Sequence, residues 1–154
     1  MTDAAGLVRE VLAARQRLID FVDRCPEELW TARPLAEDDP RTLGVIVDHV
    51  ADAYEYLGSF VTGLTRDEPV EVSPQIVDDL NARHAAAAPA PTRQGVVEHL
   101  LQSGDAFVAL IEPLTEHQLA SGENGVTVAR FADIAARHAD NHRVELEAAL
   151  GLAR

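Results

Sequence analysis

Apolar residues recur with the period of an α-helix in five separate stretches, and this pattern restricts the chain to an all-α fold. The alternation of apolar and polar residues that is typical of strands is nearly absent. Pro26 and Pro113 end the first and fourth stretches, and Ser73 followed by Pro74 is a typical start for the third. The predicted helices cover approximately residues 3–23, 42–64, 74–88, 92–112 and 127–150.

A polar connection of unusual length separates the first two predicted helices. It covers residues 27–40, contains Pro34 and Pro40, and is anchored by the apolar residues Leu29 and Trp30. Four long helices and a shorter third one predict an up-and-down four-helix bundle with an additional short helix and a long connection. A length of 154 residues fits a single domain, so we expect residues 1–154 to form one unit.

The charge of the chain excludes several classes of partner. Its 26 acidic residues outnumber its 13 basic ones, which gives a formal net charge of −13. Nucleic acids and anionic membrane surfaces need clustered cations, so neither is expected as a partner. The single cysteine, Cys25, excludes an internal disulfide and fits a reducing compartment. Because no apolar leader or long apolar window is present, we expect a cytoplasmic protein with no membrane span.

Three histidines are predicted to point into the core of the bundle. His138 and His142 are four residues apart, so both lie on one face of the last helix. At about 100° per residue, that face is the middle of the apolar stripe that contains Phe131 and Leu146. The same construction places His49 at the centre of the apolar stripe of the second helix.

Three inward imidazoles favour a metal site over ordinary core packing. A buried imidazole nitrogen without a partner costs about 1–3 kcal/mol, and a divalent ion removes that cost for all three at once. Neutral nitrogen ligands suit Zn or Ni. The alternative is that each histidine is a core residue bonded to a backbone carbonyl or a carboxylate.

Several other residues are candidates for the surroundings of the site. Glu145 and Asp52 each follow a predicted ligand by three residues, so either could orient a histidine, supply a fourth ligand or lie exposed at the bundle rim. Tyr56 lies two turns beyond His49 and could line a pocket as a donor. Trp30 could form the mouth of that pocket or pack in the core.

The sequence pattern around the other three histidines does not favour a role in the metal site. His99 lies away from the apolar side of its helix, and His117 follows Pro113 in a connection, so both are expected in solvent. His84 could face inward near the end of its helix.

Two segments resemble the DinB-like family of metalloenzymes. Family members have a Leu-x-x-x-x-Pro connection before a helix with an inward histidine that is followed by Leu-Ala or Val-Ala. Here that pattern is found in LWTARPLAEDDPRTLGVIVDHVADAYEYL, with Leu29, Pro34, His49, Val50 and Ala51 at the matching positions. The family's closing helix contains His-x-x-x-His, which is similar to FADIAARHADNHRVEL, with its pair His138 and His142.

The resemblance implies a four-helix bundle with a long crossover and a metal ion held by His49, His138 and His142. Relatives of the family include mycothiol-dependent maleylpyruvate isomerases, which have a glutamate at the position of His138, and transferases that use small thiols. Many members have Trp-Ser before the second helix, where this chain has Arg41 and Thr42. The resemblance also implies a homodimer.

These observations lead to one main hypothesis and three alternatives. The main hypothesis is a metal-dependent transferase or isomerase that acts on a small-molecule substrate with a low-molecular-weight thiol such as mycothiol. The alternatives are a metal or small-molecule binding module without turnover, a metal-dependent hydrolase, and a structural bundle whose histidines are ordinary core residues.

Overall fold

The computed structural model describes residues 3–152, and almost all of its regular structure is helical. One 3₁₀ turn lies in the connection after the first helix, and one two-stranded hairpin lies before the last helix. The helices are α1 Ala4–Arg24, α2 Leu43–Thr65, α3 Pro74–Ala87, α4 Arg93–Ile111, α5 Glu116–Leu119 and α6 Val128–Ala149; the 3₁₀ turn is Glu27–Leu29, and the strands are β1 Gly122–Glu123 and β2 Val126–Thr127.

A capping side chain fixes the start of every helix. In each case the residue before the first turn accepts a hydrogen bond from a backbone N–H of that turn, which satisfies one of the free donors there. These capping residues are Asp3, Thr42, Ser73, Thr92, Thr115 and Thr127. The five predicted helices are confirmed, and each end differs from the prediction by at most one residue.

Each of the four long helices packs against two others. The order around the bundle is α1, α4, α2 and α6, so α1 and α2 are diagonal rather than adjacent. On α2 and α4, Asp48 contacts His99, and Gly58 lies against Leu110, so these two helices run parallel. Two ion pairs join α1 and α6, and the one that lies further along α1 also lies further along α6. These two helices therefore run parallel as well.

The predicted all-α four-helix bundle is confirmed, and the structure adds the direction of its helices. Strict alternation of direction fails between α2 and α4, because residues 66–92 return the chain from the end of α2 to the end of the bundle where α2 began. The short α3 lies within this crossover and packs on α2. The connection between α1 and α2 joins two helices that lie diagonally in the bundle.

The segment between α4 and α6 contains structure that the sequence analysis treated as a connection. Thr115 and Gln118 form a capping box around the single turn of α5. Gly122 opens the hairpin with a φ of +122°, and a Cβ there would lie 1.9 Å from the carbonyl oxygen of Val126. One helical turn and two-residue strands are too short to show a period, so their sequence pattern could not reveal them.

The core lies between the four long helices and is almost entirely apolar. It is continuous from one end of the bundle to the other, and no helix within residues 3–152 is long and apolar enough to cross a membrane. Large side chains without solvent contact include Phe21, Tyr54, Leu100, Phe107, Ile111 and Leu146.

Candidate metal centre

The three predicted histidines converge between α2 and α6. One potential ligand atom from each of His49, His138 and His142 lies within 4.8 Å of the others. The ring centroids are 4.8 Å apart for His49 and His138, 5.3 Å for His49 and His142, and 4.6 Å for His138 and His142. Three imidazoles at such spacing can contact a single ion.

The geometry of two antiparallel helices produces this convergence. His49 lies in the second turn of α2, opposite the middle of α6, while Phe60 further along α2 packs on Phe131 near the start of α6 with ring centroids 5.2 Å apart. Because His138 and His142 are one helical turn apart, both rings project from the same side of α6 toward His49. The site therefore belongs to rigid elements rather than to loops.

Burial keeps the site histidines in the form that binds metals. It lowers the pKa of His49 to about 3 and that of His138 to about 4, and it lowers the pKa of His142 as well. The neighbouring imidazoles and the charge of Arg41 act in the same direction on His49. All three rings are therefore neutral at pH 7, and neutral imidazole is the ligating form.

The donor pattern of the three rings fits an ion. His49 Nε2 and His138 Nε2 are 2.9 Å apart, so in the absence of an ion one can donate a hydrogen bond to the other, and the buried His49 Nδ1 has no hydrogen-bond partner within residues 3–152. His142 Nδ1 donates to Glu145 Oε2 at 3.2 Å, which leaves the lone pair on His142 Nε2. A metal-ligating histidine typically has such a carboxylate on its second nitrogen.

The site is closed on one side and open on the other. His49 is 4% exposed and forms the floor, whereas His138 and His142 are half-buried and reach the surface. Three neutral ligands with an accessible side leave coordination positions for another molecule, as in catalytic rather than structural metal sites.

The other residues that were predicted near the site have different environments. Asp52 is half-buried, its pKa is raised mainly by burial, and its carboxylate accepts no hydrogen bond from the described residues. Tyr56 packs on Phe60, and burial raises the pKa of its hydroxyl to about 12, so the hydroxyl stays protonated. Trp30 is 6% exposed and its Nε1 donates to the carbonyl of Pro91, an environment of core packing rather than a pocket mouth.

A second polar cluster, which the sequence analysis did not identify, lies on the other side of α2. The carboxylate of Asp48 is buried and bonds two imidazoles, His84 Nε2 and His99 Nδ1, each at 2.7 Å. His99 Nε2 also contacts Glu55 Oε1 at 2.8 Å. We call these four residues the Asp48 network. The ring of His84 lies 6.2 Å from the ring of His49.

Opposite charges meet in the Asp48 network. Burial alone would raise the pKa of Asp48, but the bonds from His84 and His99 lower it to about 2. The bond to Asp48 outweighs burial and raises the pKa of His99 to about 9, with a further contribution from Glu55. The network therefore includes a charged carboxylate and a charged imidazole at pH 7.

The three histidines outside the proposed metal site differ in their environments. The prediction that His99 lies in solvent was wrong, because buried Asp48 on the neighbouring helix holds it. His84 does face inward, and His117 is exposed as expected. Asp48 directly precedes His49, and two adjacent residues on a helix point in different directions, so the spacing that predicted His49 gave no signal for Asp48.

Comparison with known proteins agrees with this fold. The sequence profile of the DinB superfamily matches residues 10–146. The structure is similar to one described as sibling lethal factor precursor, DfsB, with a TM-score of 0.77 and 14% identity, over 96% of this chain and 95% of the other. At that identity the likeness shows the fold alone. No curated protein matches the sequence at a significant level.

Proposed function

We propose that the chain, which belongs to the DinB superfamily, binds one divalent metal ion through His49, His138 and His142. We further propose that it acts with a low-molecular-weight thiol as a metal-dependent transferase or isomerase. The observation that supports the metal site is the convergence of three neutral imidazoles on one point. The thiol rests on the family resemblance.

The ligand set favours Zn or Ni. Imidazole nitrogen suits both ions, and none of the described residues adds a thiolate to the three imidazoles that would select softer metals. When bound, such an ion lowers the pKa of a coordinated thiol or water so that a nucleophile exists near neutral pH.

The chain's own residues have separate roles in this proposal. His49 closes the floor of the site and excludes water from that side, since it is 4% exposed. Glu145 holds His142 through Nδ1, which fixes the ring orientation and directs Nε2 toward the other two rings. Tyr56 retains its proton at neutral pH and is a candidate donor to a bound substrate.

A thiol titration tests the proposed activity class. With Co in place of the natural ion, coordination of a small thiol should add charge-transfer absorption, because sulfur donates more strongly than water. Full metal occupancy with no spectral change for any thiol would contradict the transferase proposal and favour the binding module or the hydrolase.

We also propose a homodimer, which the family resemblance implies, and a cytoplasmic location, which fits the single cysteine. Light scattering on the purified protein tests the first of them. A molar mass near 16.7 kDa would indicate a monomer, and a mass of about twice that value would indicate a dimer.

A further inference from the structure

Apolar side chains line the groove between α2 and α6 beside the three histidines. Tyr56, Phe60 and Ile134 pack on the core there and are partly exposed. The rings of Tyr56 and Phe60 are 6.0 Å apart, and the ring of Phe60 lies 5.2 Å from that of buried Phe131. We call Tyr56, Phe60 and Ile134 the apolar wall.

Two contacts between α2 and α6 fix where the apolar wall lies. His49 and His138 are in contact at the proposed metal site, with their Nε2 atoms 2.9 Å apart. Phe60 and Phe131 are in contact further along the same two helices. A residue between these contacts that shares their face of α2 or α6 therefore lies in the groove that joins them.

The other two members of the apolar wall lie between those contacts. Tyr56 is seven residues after His49 on α2, which places it two helical turns away on the same face. Ile134 is four residues before His138 on α6, so their Cβ atoms are about 5–6 Å apart. The apolar wall thus begins one helical turn from a proposed ligand and extends away from it along the groove.

Carboxylates border the apolar wall but do not interrupt it. Glu145 is exposed beyond His142, on the opposite side of the histidines from the wall, and accepts a hydrogen bond from His142 Nδ1. At about 100° per residue, Asp52 lies about 60° from His49 around α2, at the edge of the groove, whereas Tyr56 lies within about 20° of it. A molecule bound to the ion therefore has the apolar wall on one side, and an apolar group of that molecule would remove these side chains from water.

We propose that the apolar wall is a specificity subsite, which binds an apolar group of the substrate while another group of the same molecule occupies the ion. The ligand class is a small molecule in which a short spacer joins an aromatic or branched aliphatic group to a metal-binding oxygen or sulfur. This inference rests on the proposed function, since it requires an ion at the three histidines. It does not require the ligand to be a thiol.

Two hydroxamates that differ by one phenyl ring test the inference. Acetohydroxamate and phenylacetohydroxamate bind Zn through the same two oxygens, so calorimetric titration of the Zn-loaded protein compares their apolar groups. We expect phenylacetohydroxamate to bind about tenfold more tightly, as partial burial of one ring would provide. In Ile134→Ala and in Phe60→Ala most of this advantage should disappear, while the affinity for acetohydroxamate and the Zn content stay unchanged.

Matched variants separate the subsite from general hydrophobicity and from folding. Leu101→Ala truncates an apolar side chain that is 39% exposed on α4, outside the groove, and should leave the advantage intact. Tyr56→Phe keeps the ring and removes only the hydroxyl, so it should retain the advantage as well. Thermal unfolding of each variant shows whether the bundle is still folded, and Ile134→Ala leaves the contact between Phe60 and Phe131 in place.

The outcomes distinguish the two proposals. Equal affinities for the two hydroxamates in the wild type, or an advantage that persists in both Ile134→Ala and Phe60→Ala, would overturn the subsite and leave the metal proposal in place. Failure of the protein to take up Zn would overturn the proposed function. Zn uptake without binding of either hydroxamate would contradict the accessible coordination positions on which the subsite depends.

Discussion

At the scale of single residues, the site consists of polar groups placed where a bundle core normally has leucine. Burial lowers the pKa values of all three imidazoles, so none of them gains a charge at neutral pH. Such a core is stable only if the nitrogens have partners. A metal ion would provide a partner for all three, and Glu145 already provides one for the second nitrogen of His142.

Glu145 gives a direct test of this arrangement. Its replacement by Gln should weaken metal affinity by about 10–100-fold, the usual effect of removing a carboxylate that orients a ligand histidine. Competition with a chromophoric chelator measures this affinity. Glu112→Gln, at an exposed position with no side-chain hydrogen bond among the described residues, is the matched control. Equal affinity in both variants would mean that Glu145 does not support the site.

The three histidines could be predicted from sequence because each lies on a stripe with a regular period. Asp48 could not. It has its partners on α3 and α4, and a single sequence gives no information on which helices are neighbours in space.

At the scale of elements, the Asp48 network ties three helices together. Asp48 belongs to α2, His84 to α3 and His99 to α4. His84 is the one buried residue of α3, so its bond to Asp48 is the main polar anchor of this short helix. The network therefore supports the helix that bears His49.

The charge of His99 predicts a pH dependence of stability. Its pKa is raised from 6.5 to about 9 in the folded chain, so its contribution is fully present below pH 6.5 and is lost as the pH rises through 9. After allowance for solvent screening this contribution is about 1–2 kcal/mol. Urea unfolding of the metal-free protein at pH 6 and pH 9 measures it.

Variants of two histidines isolate that contribution. His99→Gln should remove most of the loss of stability between pH 6 and pH 9, since Gln does not titrate. His117→Gln, which changes an exposed histidine, should leave the wild-type loss unchanged. The same pH dependence in both variants would show that His99 is not charged in the folded chain.

The elements themselves were more predictable than their arrangement. Thr42, Ser73 and Thr92 mark helix starts in the sequence because capping depends on local geometry alone. The parallel course of α2 and α4 depends on the path of residues 66–92 over the surface, and no periodic sequence pattern encodes that path. The same holds for α5 and the hairpin, whose stability comes from a capping box and a glycine turn.

At the scale of the whole molecule, the proposed site connects two helices, α2 and α6, that are far apart in sequence. His49 comes from α2, and the other two ligands come from α6 near the end of the chain. An ion there would cross-link residues about ninety positions apart in sequence. The unfolded chain has no preformed site, so the ion would bind the folded state.

Metal binding should therefore raise the unfolding temperature. Free Zn at about 100 times its dissociation constant stabilises a folded protein by about 2.7 kcal/mol, which corresponds to roughly 5–10 °C for a domain of this size. Calorimetry with and without Zn measures the shift. His49→Ala should show no such shift, whereas an equal shift in that variant would place the ion elsewhere.

The metal content of protein purified without a histidine tag tests the three-histidine site most directly. Elemental analysis should find about one divalent ion per chain in the wild type and in His117→Ala. His142→Ala should lose most of it, because two imidazoles hold an ion far more weakly than three. Full metal retention in His142→Ala, or no metal in the wild type after exposure to Zn and Ni, would contradict the three-histidine site.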